Sequence, residues 1–257
     1  NSPNVQIVCR HKLCPRGSIT LSTNSTIPGM NNLLDQALRT TLQKIDNASH
    51  AANRPDKAVL LAVSKMQPAS AILELALLGQ RSFGENYVQE ALAKQGELED
   101  LKLEWHLIGP LQSNKCSEAA RHFDWVHSVS RIKLVEPLNR YRPENAKPLN
   151  VLIQVNIDGE ASKSGCSPNE IDSIADAILQ APRLKLRGLM AIPEPSPDLE
   201  KRRSSFRQLN GLFQRLQSRH PDCDTLSMGM SDDFELAIHE GSTLVRIGSA
   251  LFGARKA

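Results

Sequence analysis

The strongest constraint on the fold is an alternation of short apolar segments with helix-length amphipathic segments, repeated eight times along the chain. Each predicted strand is rich in Leu or β-branched residues, and a helical segment follows it. This rhythm is typical of parallel strands joined by right-handed crossovers. The predicted strands cover residues 59–63, 81–86, 104–109, 124–129, 150–157, 184–192, 225–230 and 243–248.

An amphipathic lead-in helix is predicted over residues 31–52, where Leu and Ile recur at helical spacing. A doubly wound open sheet competes with a closed barrel, but eight regular units without a G-x-G-x-x-G fingerprint favour a single (β/α)₈ barrel over residues 30–257. The predicted connecting helices are 69–79, 87–101, 112–122, 131–141, 168–180, 198–219 and 232–240.

Residues 1–29 differ from the rest, since they contain no Asp or Glu and are rich in Ser, Thr, Asn and Pro. Such a segment fits an organelle transit peptide. The lack of a clean amphipathic pattern favours the alternative, an over-extended start or an added expression sequence before Met30. On either alternative we expect these residues to be disordered.

Composition excludes several classes of function. A net charge of +3 and an aromatic content of 4% argue against a nucleic-acid-binding face. No apolar run reaches the roughly 18 residues of a membrane span. The five cysteines are scattered without a C-x-x-C pair, so we expect reduced thiols, no metal site and a cytoplasmic location.

Lys65 follows the most hydrophobic predicted strand, on the same face as Val59, Leu61 and Val63. The C-terminal ends of barrel strands carry the reacting groups of this fold. Desolvation there would lower the pKa of the amine and prepare it to attack an aldehyde. The alternative is a lysine that extends to water at the strand end.

A phosphate site is predicted where the last two strands end. Strand eight runs into Gly248-Ser249, whose backbone N–H groups would be accessible beside a short helix, and Ser231 adds a hydroxyl after strand seven. Loops in these positions often hold phosphate in barrels. The alternative makes Ser231 only a helix N-cap, with Asp232 and Asp233 complementing the helix dipole.

Arg246 lies on the last predicted strand, where a buried guanidinium needs an acceptor. One alternative is an ion pair with an acid such as Glu85, and the other is a contact to the ring nitrogen of a pyridine cofactor. Because a guanidinium does not release its proton, that nitrogen would stay unprotonated and the ring would be a poor electron sink. His106 is a candidate base or ligand, although a lone histidine here favours an interior residue.

The chain resembles the pyridoxal phosphate homeostasis proteins (the YggS/PROSC family) over essentially all of residues 30–253. Together the matching stretches are highly specific. They are LLAVSK (60–65), FGENYVQE (83–90), EWHLIGPLQSNK (104–115), SKSG (162–165), RGLMAIP (187–193), LSMGMSDDFELAI (226–238) and RIGSALFG (246–253).

The resemblance implies a barrel like the N-terminal domain of alanine racemase, with pyridoxal 5′-phosphate (PLP) held as a Schiff base. It assigns the Schiff base to Lys65, the phosphate to Ser231, Gly248 and Ser249, and the pyridine nitrogen to Arg246. Asn86 would lie near the ring. Lys163, in SKSG, resembles a secondary lysine of the family that assists PLP transfer.

The resemblance further implies a function in vitamin B6 homeostasis, holding PLP and delivering it to PLP-dependent apo-enzymes. Four residues follow Gly253, so we expect the second racemase domain, with its catalytic tyrosine, to be absent. Racemisation needs two positioned acid/base groups, and only Lys65 is evident. The expectation is therefore a cytoplasmic, monomeric carrier without strong catalysis; a PLP-dependent amino-acid racemase is the alternative.

Overall fold

Eight parallel strands close into one barrel in the computed structural model, which describes residues 32–159 and 164–253. Each strand pairs with its neighbours in chain order, and the last strand pairs with the first. The strands are β1 (Val59–Val63), β2 (Ser82–Glu85), β3 (Glu104–Leu107), β4 (Trp125–Val129), β5 (Leu149–Gln154), β6 (Leu184–Met190), β7 (Thr225–Ser227) and β8 (Leu244–Ile247).

The helices surround this barrel, and each of three helices is directly preceded by its own 3₁₀ turn. The predicted barrel and lead-in helix are thus confirmed. The helices are α1 (Asn32–Ala51), α2 (Ala69–Leu77), α3 (Val88–Glu97), α4 (Cys116–His122), α5 (Val135–Tyr141), α6 (Ile171–Leu179), α7 (Leu199–Arg219), α8 (Phe234–His239) and α9 (Ser249–Phe252).

Residues of β1 alternate between the two sides of the barrel wall. Leu60 and Ala62 belong to the large core between strands and helices, whereas Leu61 packs inside the barrel with Ile108 and Leu244. This period of two follows from the pleat of a strand. Val59 departs from the prediction, because it lies 53% exposed at the start of the strand rather than inside.

Several strands end earlier than the sequence predicts. The seventh strand stops at Ser227, because Gly229 follows with a φ of +90° that cannot continue a strand. A Cβ at Gly229 would come within 2.5 Å of the Ala237 side chain, so only glycine fits there. The polar residues beyond these strands therefore lie in loops at one end of the barrel.

None of the helices in the described ranges is long and apolar enough to cross a membrane. Cys116, Cys166 and Cys223 are buried free thiols, and burial raises their pKa values to about 11, 12 and 11. The leader predicted over residues 1–29, with Cys9 and Cys14, lies outside the described residues.

Candidate functional site

A cavity of about 320 Å³ opens at the C-terminal ends of the strands. This size is at the lower end of the range for small-molecule sites. Apolar side chains such as Val63, Ile108 and Phe252 form part of its wall. Six sequence-predicted residues line the same cavity, and they are Lys65, Asn86, Ser231, Arg246, Gly248 and Ser249.

Lys65 is half-buried in a tight turn rather than in a strand, because β1 already ends at Val63. The N–H of Gln67 donates to the carbonyl of Ser64 at 3.0 Å, which closes a four-residue turn. Met66, the third residue, has a φ of +61°, and a left-handed residue at that position is typical of a type II turn. The turn presents Lys65 to the cavity.

A buried ion network, which was not predicted from the sequence, lies beneath this turn. Lys94 on α3 donates to Glu85 Oε1 at 2.8 Å, to the Ser64 carbonyl at 2.8 Å and to Glu90 Oε1 at 2.7 Å. The Ser64 hydroxyl also donates to Glu85 Oε1, at 2.6 Å. The residues immediately before Lys65 and Asn86 are thereby tied together.

Arg246 is 3% exposed, and its acceptors are neutral oxygens. Nη1 donates to the Ser227 carbonyl at 2.8 Å and to Ser227 Oγ at 2.7 Å, and Nη2 donates to the Ala191 carbonyl at 2.9 Å. The predicted alternative of an ion pair with Glu85 is wrong, because Lys94 is the partner of that carboxylate. Burial lowers the pKa of Arg246 to about 10, so the guanidinium stays charged at neutral pH.

His106 is an interior residue with hydrogen-bond partners, as favoured from sequence. Its Nδ1 lies 2.9 Å from Nε2 of His127, and its Nε2 lies 3.0 Å from Oε2 of Glu104. His127 was not predicted to have a role, and its Nδ1 lies 3.2 Å from Ser227 Oγ. Burial lowers the pKa of both imidazoles below the ordinary 6.5, which favours their neutral forms at pH 7.

Ser231 stands beside the first turn of α9, and its Oγ accepts from the N–H of Ala250 at 3.3 Å. It is not the N-cap of α8, because that helix begins at Phe234 and Asp233 occupies the cap position. Asp233 Oδ1 accepts from the N–H of Met230, and Asp232 is exposed at the cavity mouth. Asp232 therefore lies in the cavity lining next to Ser231, where exposure to solvent screens its charge.

Asn86 depends on a close approach between two loops. A Cβ at Gly109 would come within 2.1 Å of the Asn86 carbonyl oxygen, so no larger residue fits this position. Gly109 thus lets the segments after β2 and β3 pack together beside the cavity. Lys163, the predicted secondary lysine, lies outside the described residues.

The fold defines the structural class to which the protein belongs. The family model described as "Alanine racemase, N-terminal domain" matches residues 36–256. The alanine racemase of Corynebacterium glutamicum has a TM-score of 0.60 at 18% identity, covering 86% of this chain and 62% of that one. At this identity the likeness concerns the fold alone.

Curated relatives specify the family further. The "Pyridoxal phosphate homeostasis protein" of Pseudomonas aeruginosa is 55% identical over 213 residues, 82% of this chain and 91% of that protein. Its Escherichia coli K12 counterpart is 52% identical over 217 residues, 82% and 93% of the two chains. The chain belongs to the pyridoxal phosphate homeostasis proteins, as its sequence motifs predicted.

A solved relative carries the cofactor. PipY of Synechococcus elongatus, whose structure was determined with PLP bound, is 38% identical, with a TM-score of 0.76. The match covers 86% of this chain and 100% of that one.

Proposed function

We propose that this protein binds PLP as a Schiff base on Lys65 and serves as a cytoplasmic PLP store that supplies other proteins, without strong catalysis. The observation that carries the proposal is the convergence of Lys65, Arg246 and the Ser231–Gly248 corner on one cavity. The names of its curated relatives and the PLP bound to PipY support the same cofactor.

The residues present fit each part of PLP. The amine of Lys65 would bond to the aldehyde carbon with loss of water, and the apolar wall would shield that bond from hydrolysis. The Ser231 hydroxyl and the backbone N–H groups of Gly248 and Ser249 suit a phosphate. Arg246 makes three hydrogen bonds to the protein from its five N–H donors, which leaves donors for a ring nitrogen.

The character of Arg246 supports a carrier. Bound PLP supplies an electron-withdrawing ring, which is most effective when its nitrogen is protonated. A guanidinium with a pKa of about 10 donates a hydrogen bond at neutral pH without passing on its proton. Besides Arg246, the titratable side chains among the described lining residues are Lys65 and Asp232, and Asp232 is exposed. A second buried acid/base for racemisation is therefore lacking in the described part of the cavity.

A visible spectrum tests the cofactor. We expect the purified protein to turn yellow with PLP, and borohydride to make the adduct permanent. Lys65→Ala should abolish the absorbance band, and Lys65→Arg should abolish it too, because arginine keeps the charge but does not condense with the aldehyde. The exposed Lys57→Ala is the control and should stay yellow. A wild-type protein that PLP does not colour would overturn the proposal.

A racemase-like activity is the second candidate, because the fold is that of the alanine racemase N-terminal domain. Incubation with L-amino acids in heavy water separates the two functions. The carrier proposal predicts negligible deuterium at Cα after many protein equivalents of substrate. Substantial Cα labelling that disappears in Lys65→Ala would favour the enzyme.

Delivery of PLP, a monomeric state and the transfer role of Lys163 are further parts of this proposal. The SKSG motif supports the last of them. Transfer from loaded protein to a PLP-dependent apo-enzyme, with Lys163→Ala beside wild type, tests both the delivery and the lysine. Equal transfer rates for wild type and Lys163→Ala would show that Lys163 has no role in transfer.

A further inference from the structure

A continuous hydrogen-bond chain crosses the barrel interior from the cavity to the N-terminal end of β3. Arg246 Nη1 lies 2.7 Å from Ser227 Oγ, which lies 3.2 Å from His127 Nδ1. His127 Nε2 lies 2.9 Å from His106 Nδ1, and His106 Nε2 lies 3.0 Å from Glu104 Oε2. We call these five residues the Arg246–Glu104 chain. Its three middle members come from three different strands.

The two ends of the chain set its direction. Arg246 has only donors, and Glu104 is a carboxylate with only acceptors, since the hydrogen bond from His106, more than any other contact, lowers its pKa to about 2. A neutral imidazole that donates from one nitrogen must accept at the other. His106 therefore donates from Nε2 to Glu104 and accepts at Nδ1.

The remaining bonds follow from that assignment. His127 must donate from Nε2 to His106, so its Nδ1 accepts the hydroxyl proton of Ser227. Ser227 Oγ in turn accepts from Arg246. Every hydrogen bond thus points from the guanidinium to the carboxylate, and a single tautomer satisfies each imidazole.

The carboxylate end is held independently. Trp125 Nε1 donates to Glu104 Oε1 at 2.9 Å, and the Ser82 hydroxyl donates to Oε2 at 2.8 Å. The ring of Trp125 also stacks on His106, with centroids 5.2 Å apart. Glu104 is partly exposed, but three hydrogen bonds hold its carboxylate in place, and its negative charge complements the guanidinium through aligned dipoles.

We infer that His127, His106 and Ser227 are positioning residues in a one-way chain of hydrogen bonds. Each imidazole keeps a single neutral tautomer, and the chain fixes the Arg246 guanidinium against the cavity. The Arg246–Glu104 chain orients the guanidinium and polarises its hydrogen bonds. No proton needs to move along the chain. The two carbonyl contacts of Arg246 set its depth, and the Ser227 hydroxyl limits rotation about its side-chain axis. None of the middle residues lines the cavity.

Nuclear magnetic resonance of the protein without PLP tests the chain directly. In nitrogen-15 spectra we expect both His106 and His127 as neutral Nε2–H tautomers, and the Arg246 guanidinium protons should exchange slowly. Ser227→Ala and His127→Leu should each speed that exchange by about tenfold or more, since a fixed hydrogen bond protects its proton. His127→Gln, which both donates and accepts, should restore part of the protection.

Ser128→Ala is the matched control, because Ser128 is the next residue on β4 and its buried Oγ has no partner within the described structure. It should leave the Arg246 signals unchanged. A cationic histidine, an Nδ1–H tautomer, or an Arg246 signal indifferent to both disrupting variants would overturn the inference. Ser227→Ala is the smaller change and keeps the test available if His127→Leu fails to fold.

A second arm rests on the proposed function. With PLP we expect Ser227→Ala to shift the visible band and to weaken PLP binding about tenfold, the effect of losing one oriented hydrogen bond. Ser128→Ala should match wild type in both. A wild-type protein that PLP does not colour would refute PLP binding. The magnetic resonance experiment, which uses the protein without PLP, would still test the Arg246–Glu104 chain. Unchanged colour and affinity in Ser227→Ala would refute the positioning role alone.

Discussion

Lys94 of α3 and Glu85 of β2 form a buried ion pair, with Nζ 2.8 Å from Oε1 and side chains 7% and 0% exposed. Burial raises the pKa of Glu85, against the opposing effect of Lys94 and the Ser64 hydroxyl. The second carboxylate oxygen of Glu85 has no partner in the described structure. The pair nevertheless links Ser64 and Glu85, the residues that precede Lys65 and Asn86, and so supports both cavity residues from behind.

Removing Lys94 should leave Glu85 buried and unpaired. We expect Lys94→Met to lower the free energy of unfolding by about 3–5 kcal/mol, the usual cost of breaking a buried pair on one side. Urea denaturation measures the change, with the exposed Lys102→Met as control. Adding Glu85→Gln should recover part of the loss. If Lys94→Met were as stable as Lys102→Met, the support assigned to the pair would be refuted.

Gly109 offers a steric test of the position of Asn86. Gly109→Ala places a Cβ 2.1 Å from the Asn86 carbonyl oxygen, so we expect a loss of about 1–3 kcal/mol and weaker PLP binding. Gly96→Ala in α3 is the matched control, because its Cβ would meet nothing within 4 Å. That variant should be slightly stabilised, as alanine favours a helix. Equal stability of the two variants in thermal unfolding would contradict the steric account.

The phosphate corner predicts a difference between two ligands. Ser231→Ala should weaken PLP binding by about tenfold, since it removes a hydrogen bond to a charged group worth about 1.5 kcal/mol or more. Pyridoxal, which lacks the phosphate, should bind wild type and variant equally. Titration by absorbance compares the four affinities, and Ser218→Ala on the exposed face of α7 serves as control. An equal loss of affinity for pyridoxal would show that Ser231 does not contact the phosphate.

The buried histidines His106 and His127 should make the stability of the protein depend on pH. Both have pKa values below the ordinary 6.5 because burial disfavours their charged forms. Below pH 6.5 the unfolded chain therefore binds more protons than the native protein, and the free energy of unfolding falls as the pH decreases. Each histidine contributes up to about 1.4 kcal/mol per pH unit.

Denaturation between pH 7.5 and 5 measures this slope. The double variant His106→Gln/His127→Gln should show a shallower dependence in the same window. Glu104 acts at lower pH, because its pKa is depressed from 4.5 to about 2 and its stabilisation is lost only as the pH falls through that range. Identical slopes for wild type and the double variant would show that the imidazoles are not buried in neutral form.

The sequence predicted the barrel and the cavity-lining residues for one physical reason. Parallel strands end on one face, so Lys65, Ser231 and Arg246 converge there whatever the register between strands. The resemblance of the surrounding motifs to the pyridoxal phosphate homeostasis proteins indicated the same residues. The bounds of β1 were predicted correctly, whereas the turn that follows it was not, since this turn depends on the positive φ of Met66 and not on Gly or Pro.

The interior partners were beyond prediction because they depend on register. His127 and Ser227 lie 100 residues apart, and their contact requires the fourth and seventh strands to face each other across the barrel. An ion pair between Glu85 and Arg246 was one of two alternatives from the sequence, whereas the observed partner of Glu85, Lys94, lies nine residues along the chain on α3. A Lys on the buried side of a helix was the available signal, and Lys94 has that position in α3.

Peptide mapping tests the central claim most directly. After loading with PLP and reduction by borohydride, trypsin should no longer cut at Lys65, so residues 58–81 should remain one peptide carrying one reduced PLP. Without reduction the same digest should give 58–65 and 66–81. An adduct on this peptide, in one equivalent, is the predicted result. Reduction that leaves Lys65 unmodified, or places PLP on another lysine, would contradict the account.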